Sequence, residues 1–207
     1  MRIAFLDLDH TLLMADSNQL WMAYLHAQRW IGDAEVAAHE QFIADYANGV
    51  LDFARLQVFR DGIDASLPAE RLQACQLAFQ QELLFPAIAP QAPRLLRELK
   101  DQRFVTVLVS ATRPSLVEPV ARHLGVDHVI APCFGAQKVQ HVEAWLTAQG
   151  HRLSTLADSW FYSDSHNDLP LLKAVRNPVA VDPDPQLAQV ARQHDWPVIS
   201  LRGPALE

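Results

Sequence analysis

The sequence predicts an α/β fold, a Rossmann-like parallel sheet core with an all-helical cap inserted after the first strand. Three observations carry this. Short apolar runs stop abruptly at polar residues in three separate places, at Asp7, Ser110 and Asp164. Between Leu13 and Phe104 no strand-like run occurs, and apolar residues recur at helical spacing instead. Beyond Phe104, apolar runs alternate with helical stripes, the pattern of a parallel sheet with helices on both faces.

The first strand is Ile3-Ala4-Phe5-Leu6, which ends at Asp7-Leu8-Asp9-His10-Thr11. If the chain stays extended, the two-residue period of a strand points Asp7 and Asp9 to one side and turns Leu8 into the core. Two carboxylates held that close repel each other. A divalent cation relieves the repulsion, and magnesium suits a site with few carboxylates, several waters and phosphate oxygens. An isolated Asp-x-Asp equally describes a strand that ends in a hydrophilic turn, so the weight of the reading falls on the other strand ends.

Four helical stripes follow, Leu20 to Trp30, Val36 to Tyr46, Phe53 to Ile63 and Leu72 to Leu83, with Asp16 or Ser17 as N-cap of the first. Phe85-Pro86-Ala87-Ile88-Ala89-Pro90 reads as the return to the core. The expected boundaries are 1–14 with 87–207 for the core domain and 15–86 for the cap. Strands are then expected at Phe104 to Val109, Val126 to Ala131, Trp160 to Ser163, Pro178 to Val181 and Pro197 to Ser200. Ligands of open parallel sheets bind outside the carboxyl ends of the strands, so Asp7, Ser110 and Asp164 are expected to meet in space. Lys138 opens the helical stripe Val139, Val142, Trp145 and Leu146, and its ammonium is a compact charge for a phosphate. The tail after Arg202 is expected to fray.

These segments, in this order, resemble the motifs of haloacid dehalogenase (HAD) superfamily phosphatases of subfamily IB, the branch that includes phosphoserine phosphatase. Asp7-Leu8-Asp9-His10-Thr11-Leu12-Leu13, Asp16-Ser17 with Trp21, and Tyr162-Ser163-Asp164-Ser165-His166-Asn167-Asp168-Leu169-Pro170-Leu171-Leu172 are most similar to histidinol-phosphatase-like members. The resemblance covers nearly the whole chain. It implies a magnesium-dependent phosphomonoester hydrolase that works through an aspartyl-phosphate on a small polar metabolite, histidinol phosphate ahead of phosphoserine or a broad set of esters. Asp7 is then the nucleophile and Asp9 the general acid and base. Magnesium is held by Asp7, the Asp9 carbonyl and Asp164, while Ser110, Lys138, Thr11 and Asn167 attend the phosphate. Asp168 is expected behind them, positioning a metal-bound water. A helical cap that closes over the site excludes bulk water, and Asp16, Trp21 and Tyr24 are candidates for specificity, although core packing explains the two aromatics better.

Two departures from the family pattern bear on substrate. The segment from His128 to Lys138 is too short for the β-hairpin common in relatives; its loss opens one side of the site, which broadens specificity, displaces Lys138 or leaves space for a partner subunit to fill. Ser163 also stands where phosphoserine phosphatases usually have glycine. Phosphoryl transfer to an alcohol other than water is the second enzymatic reading. A non-catalytic phosphate-binding or regulatory module is disfavoured, because a receiver needs no second aspartate two residues after its acceptor.

His10 and His166 lack the spacing of a transition-metal site, and His26, His39, His141 and His151 are scattered. Cys75 reads as a small core residue, Cys133 sits in the loop before Lys138, and Arg113 belongs either to solvent or to an anionic ligand. At 207 residues, half of them apolar, the chain can bury a substantial core. A net charge of −7 without a Lys/Arg cluster argues against nucleic acid. No segment is long enough to span a membrane, and the first apolar run is too short for a signal peptide. Two cysteines suit a reducing compartment, so a cytoplasmic location is expected.

Overall fold

The computed structural model describes residues 1–203, so all but Gly203 of the tail expected to fray lies outside the described residues. The chain divides into two compact units, Met1–Ala15 joined by the chain from Ala87 on, and Asp16–Pro86.

The first unit is built on six parallel strands: β1 (Arg2–Leu6), β2 (Val105–Val109), β3 (His128–Ile130), β4 (Asp158–Ser163), β5 (Asn177–Val181) and β6 (Val198–Ile199). Their order is β3-β2-β1-β4-β5-β6, with Leu6 level with Leu108 on one side and with Tyr162 on the other. The chain therefore winds outward from β1 in one direction, then returns beside it and winds the other way. That reversal puts the topological switch point at the carboxyl end of β1, where Asp7 stands.

Central strands buried on both faces need continuous apolar runs, and Ile3, Phe5, Val107, Val109 and Phe161 are all fully buried. Helices α5 (Ala92–Asp101), α6 (Pro114–Leu124), α7 (Ala136–Ala148), α8 (Leu169–Leu172) and α9 (Pro185–Gln193) supply the crossovers. Where the insertion leaves and returns, Leu13 pairs with Ile88, through the Met14 N–H to the Ala87 carbonyl at 2.8 Å and the Ala89 N–H to Leu12 at 2.9 Å.

The second unit is all-helical, with α1 (Ser17–Ala27), α2 (Asp33–Ala47), α3 (Phe53–Ser66) and α4 (Ala69–Phe79). Asp16 caps α1 by accepting the Gln19 N–H at 2.8 Å. The helix expected to run on to Leu83 instead ends at Phe79 and continues as a wider turn over Gln80–Leu84. Trp21 and Tyr24 pack on Phe79, with ring centroids 5.0 and 5.5 Å away, so the core-packing account of the two aromatics describes what they do here.

Candidate active site

Past Leu6 the ladder makes one more bond, from the Asp7 N–H to the Tyr162 carbonyl at 2.9 Å, and the chain then folds into a turn. Asp7 and Asp9 keep extended backbone, Leu8 is fully buried, and His10 takes a left-handed conformation at φ 60°. The turn closes with the Leu13 N–H on the Leu8 carbonyl at 2.9 Å. It hands the two carboxylates to different partners.

Asp7 faces Lys138. The Lys138 Nζ lies 2.7 Å from Asp7 Oδ1 and 2.7 Å from Asp168 Oδ2, and the lysine is only 2% exposed. The Phe161 ring on β4 lies 5.6 Å from the same nitrogen. Burial alone would lower the pKa of the ammonium, but Asp168 and Asp7 more than offset that and hold it above the ordinary value. Asp168 also accepts the Ser163 hydroxyl at 2.7 Å. The structure thus turns an oxygen of Asp168 toward the lysine that faces Asp7.

Thr11 links Asp7 to Asp164. Its Oγ1 is 3.1 Å from Asp164 Oδ1 and 3.4 Å from Asp7 Oδ2, and it accepts the Asp164 N–H at 3.0 Å. One hydroxyl proton serves only one carboxylate at a time. Burial, then Asp168 and Asp9, push the Asp7 carboxyl up to about 7 despite Lys138. Burial, Asp7 and Asp168 push Asp164 up to about 8. Asp7 and Asp168 therefore share one lysine while Asp164 stands close to both, and the imbalance is what a hard divalent cation would neutralise. Asp7 and Asp164, with the carbonyl of Asp9 just past Asp7 in the chain, could hold one, the remaining positions going to water and ligand oxygens. Among the described residues no three His, Cys, Asp or Glu side chains group so as to hold a metal ion between them, so such a cation would rest on two carboxylates and a carbonyl.

Ser110 ends β2. Its N–H continues the ladder to the Ile130 carbonyl at 3.1 Å, so its hydroxyl is the group it can offer a ligand. That oxygen accepts the Thr112 N–H at 3.1 Å, and the Thr112 hydroxyl donates to Asp9 Oδ2 at 2.6 Å. Sequence reasoning missed Thr112, whose one signal is its place two residues past the end of a strand.

No hairpin separates β3 from α7. Ala131 to Gly135 make a compact connection, anchored by the Cys133 N–H on the Ser110 carbonyl at 2.9 Å. Gly135 enters α7 at φ 55°, a conformation that favours glycine. The short connection does not displace Lys138, because it ties the start of α7 to the end of β2.

The remaining residues fall around this centre. Asn167 lies in the turn after Asp164, its N–H on the Ser165 Oγ at 3.2 Å. His166 pairs through Nδ1 with Asp184 at 2.7 Å, and the His10 carbonyl accepts from Arg202 at 3.4 Å. Arg113 is buried at the N-cap of α6 rather than solvated. The fully buried Cys133 thiol is pushed up to about 12, chiefly by burial, which keeps it protonated and unreactive.

The sequence pattern of haloacid dehalogenase-like hydrolases matches residues 4–173. The chain belongs to that family. A histidinol-phosphatase of Neisseria meningitidis is 31% identical, over 97% of this chain and 99% of its own length. A Mycobacterium tuberculosis protein described as a probable phosphatase is 26% identical over 97% of this chain and 76% of its own. Among solved structures, a Bordetella pertussis protein of unknown function superposes with a TM-score of 0.88 at 34% identity, covering 97% of this chain and 98% of that one. A phosphoserine phosphatase structure, a phospho-aspartyl intermediate analogue, superposes with a TM-score of 0.66 at 15% identity, over 98% and 94% of the two chains, a likeness of fold. This HAD chain is a phosphomonoester hydrolase. No helix among its described residues is long and apolar enough to cross a membrane.

Proposed function

We propose that the protein hydrolyses a small polar phosphomonoester, histidinol phosphate first among candidates, through an aspartyl-phosphate on Asp7 with magnesium as cofactor, in the cytoplasm. The observation that carries this reading is the charge imbalance at the end of β1, where Asp7 and Asp168 share the ammonium of Lys138 and Asp164 adds a third carboxylate close to both. The arrangement favours two ligands together, a divalent cation between carboxylates and a phosphoryl group in reach of lysine.

In the first step an Asp7 carboxylate oxygen attacks phosphorus in line. The new bond forms as the bond to the ester oxygen breaks, and that oxygen leaves with a proton from Asp9. In the second step water attacks the aspartyl-phosphate, Asp9 takes its proton, and inorganic phosphate departs with Asp7 restored. Lys138 favours the ionised form of Asp7 against its burial and offsets charge on the transferring group. The Ser110 hydroxyl donates to a phosphoryl oxygen. Asp168, fixed by Ser163, holds Lys138 from behind. Magnesium held by Asp7, Asp164 and the Asp9 carbonyl would screen the two negative charges as they approach.

The choice of histidinol phosphate rests on the 31% identical relative of that name, which this chain matches nearly end to end. Fold alone does not decide substrate. The test is phosphate release from histidinol phosphate, phosphoserine and other phosphomonoesters, with magnesium or with chelator. The reading expects magnesium-dependent release with the highest kcat/KM for histidinol phosphate. Preference for another ester would overturn the substrate, and no release by folded protein would overturn the reaction.

A further inference from the structure

We propose that Thr112 is the positioning residue of the acid–base carboxyl, holding Asp9 by one oxygen and tying it to the phosphate-facing serine. The proposal rests on the phosphatase reading above. Thr112 lies 103 residues from Asp9 in sequence, yet its Oγ1 is 2.6 Å from Asp9 Oδ2, the short distance of a charge-assisted hydrogen bond. Its backbone N–H is bonded at the same time to the Ser110 Oγ at 3.1 Å. The residue is 1% exposed, and a β-branched side chain so enclosed has little freedom at χ1.

Such a link has a definite use. Asp9 lies within the turn, directly before the left-handed His10, and a carboxyl there can rotate about its own side-chain bonds. A donor from β2's end fixes one oxygen and thereby sets the direction of the other. General acid catalysis depends on that direction, because the proton must arrive at the ester oxygen as its bond to phosphorus breaks. Thr112 touches neither phosphorus nor ester oxygen in this account. It acts through Asp9.

The leaving group provides the test. An alkyl ester departs as a strongly basic alkoxide and needs the proton, whereas p-nitrophenyl phosphate releases a stable phenolate and does not. kcat/KM covers the steps through departure, and its alkyl-to-aryl ratio is independent of how much of a preparation is folded. Thr112→Val, which keeps the shape and removes the hydroxyl, is expected to lower kcat/KM for an alkyl phosphomonoester about 10- to 100-fold, part of what a positioned acid contributes. For p-nitrophenyl phosphate the expected fall is under about 3-fold, and Thr112→Ser is expected to restore the alkyl rate. Equal losses on both esters, or no loss on the alkyl ester, would overturn the assignment. Wild-type protein inactive on both esters would overturn the phosphatase reading and the assignment with it.

Discussion

Asp7 and Lys138 form a buried ion pair that is stabilising only while both members are present. Removing one partner of such a pair leaves an uncompensated charge, a loss of about 3 to 5 kcal/mol. Here Lys138 faces two carboxylates, so Lys138→Met should both abolish turnover and lower stability, read by urea denaturation at neutral pH. Stability within about 0.5 kcal/mol of wild type would contradict the pairing. The carboxylates also report on the proposed cation. Metal-free, Asp7 and Asp164 rise to about 7 and about 8, and a cation binds them only when ionised. Magnesium affinity measured by calorimetry should therefore increase as pH rises from about 6 to about 8, because fewer protons must be displaced. A flat profile would contradict the two-carboxylate site. At this scale the sequence was informative wherever a residue's neighbours in sequence are its neighbours in chemistry. Asp7, Thr11, Asp164 and Asp168 fall in short motifs, and the structure gathers them. Thr112 was illegible because its partner lies 103 residues away, a contact that only the parallel pairing of β1 with β2 creates.

Among the elements, the junction of β4's end with α9 is held by one side chain. Asp184 caps α9 by accepting the Leu187 N–H at 2.7 Å, and it takes both the N–H and the ring of His166 at 2.7 Å. Burial alone would raise this carboxyl, but the Leu187 and His166 donors outweigh it and hold it below its ordinary value. A depressed carboxyl stabilises the fold above its unfolded pKa, and that contribution is lost as pH falls through the folded one. Asp184→Ala should accordingly cost about 1 to 2 kcal/mol at neutral pH, with the difference from wild type narrowing in acid. An equal deficit at both pH values would contradict the assignment. The elements themselves were legible from apolar periodicity, and the strands fall where apolar runs occur, aliphatic in β2 and aromatic in β4. Their ends were less so. Nothing in the composition of Gln80–Leu84 distinguishes a wide turn from the regular helix before it, since both present apolar residues at nearly the same spacing.

On the scale of the whole molecule, the winding of the sheet explains why the chemistry collects where it does. Strands β2 and β3 lie on one side of β1 and β4 to β6 on the other, so loops diverge at the end of β1 and leave a crevice. Residues at the ends of β1, β2 and β4 and at the start of α7 meet there, although the whole cap and α5 separate the first of these segments from the others. The alternation of strand and helix made the parallel sheet legible, while the compact Ala131–Gly135 connection carried a consequence that sequence alone left open, the position of Lys138. The most direct measurement of the central claim is rapid quenching during turnover of histidinol phosphate with magnesium, followed by peptide mass mapping. The account predicts one phosphoryl group on the peptide bearing Asp7, labile to hydroxylamine and absent from Asp7→Asn, which should retain less than about a thousandth of wild-type turnover. Turnover with no label on Asp7, or an Asp7→Asn variant that still releases phosphate at the wild-type rate, would contradict it.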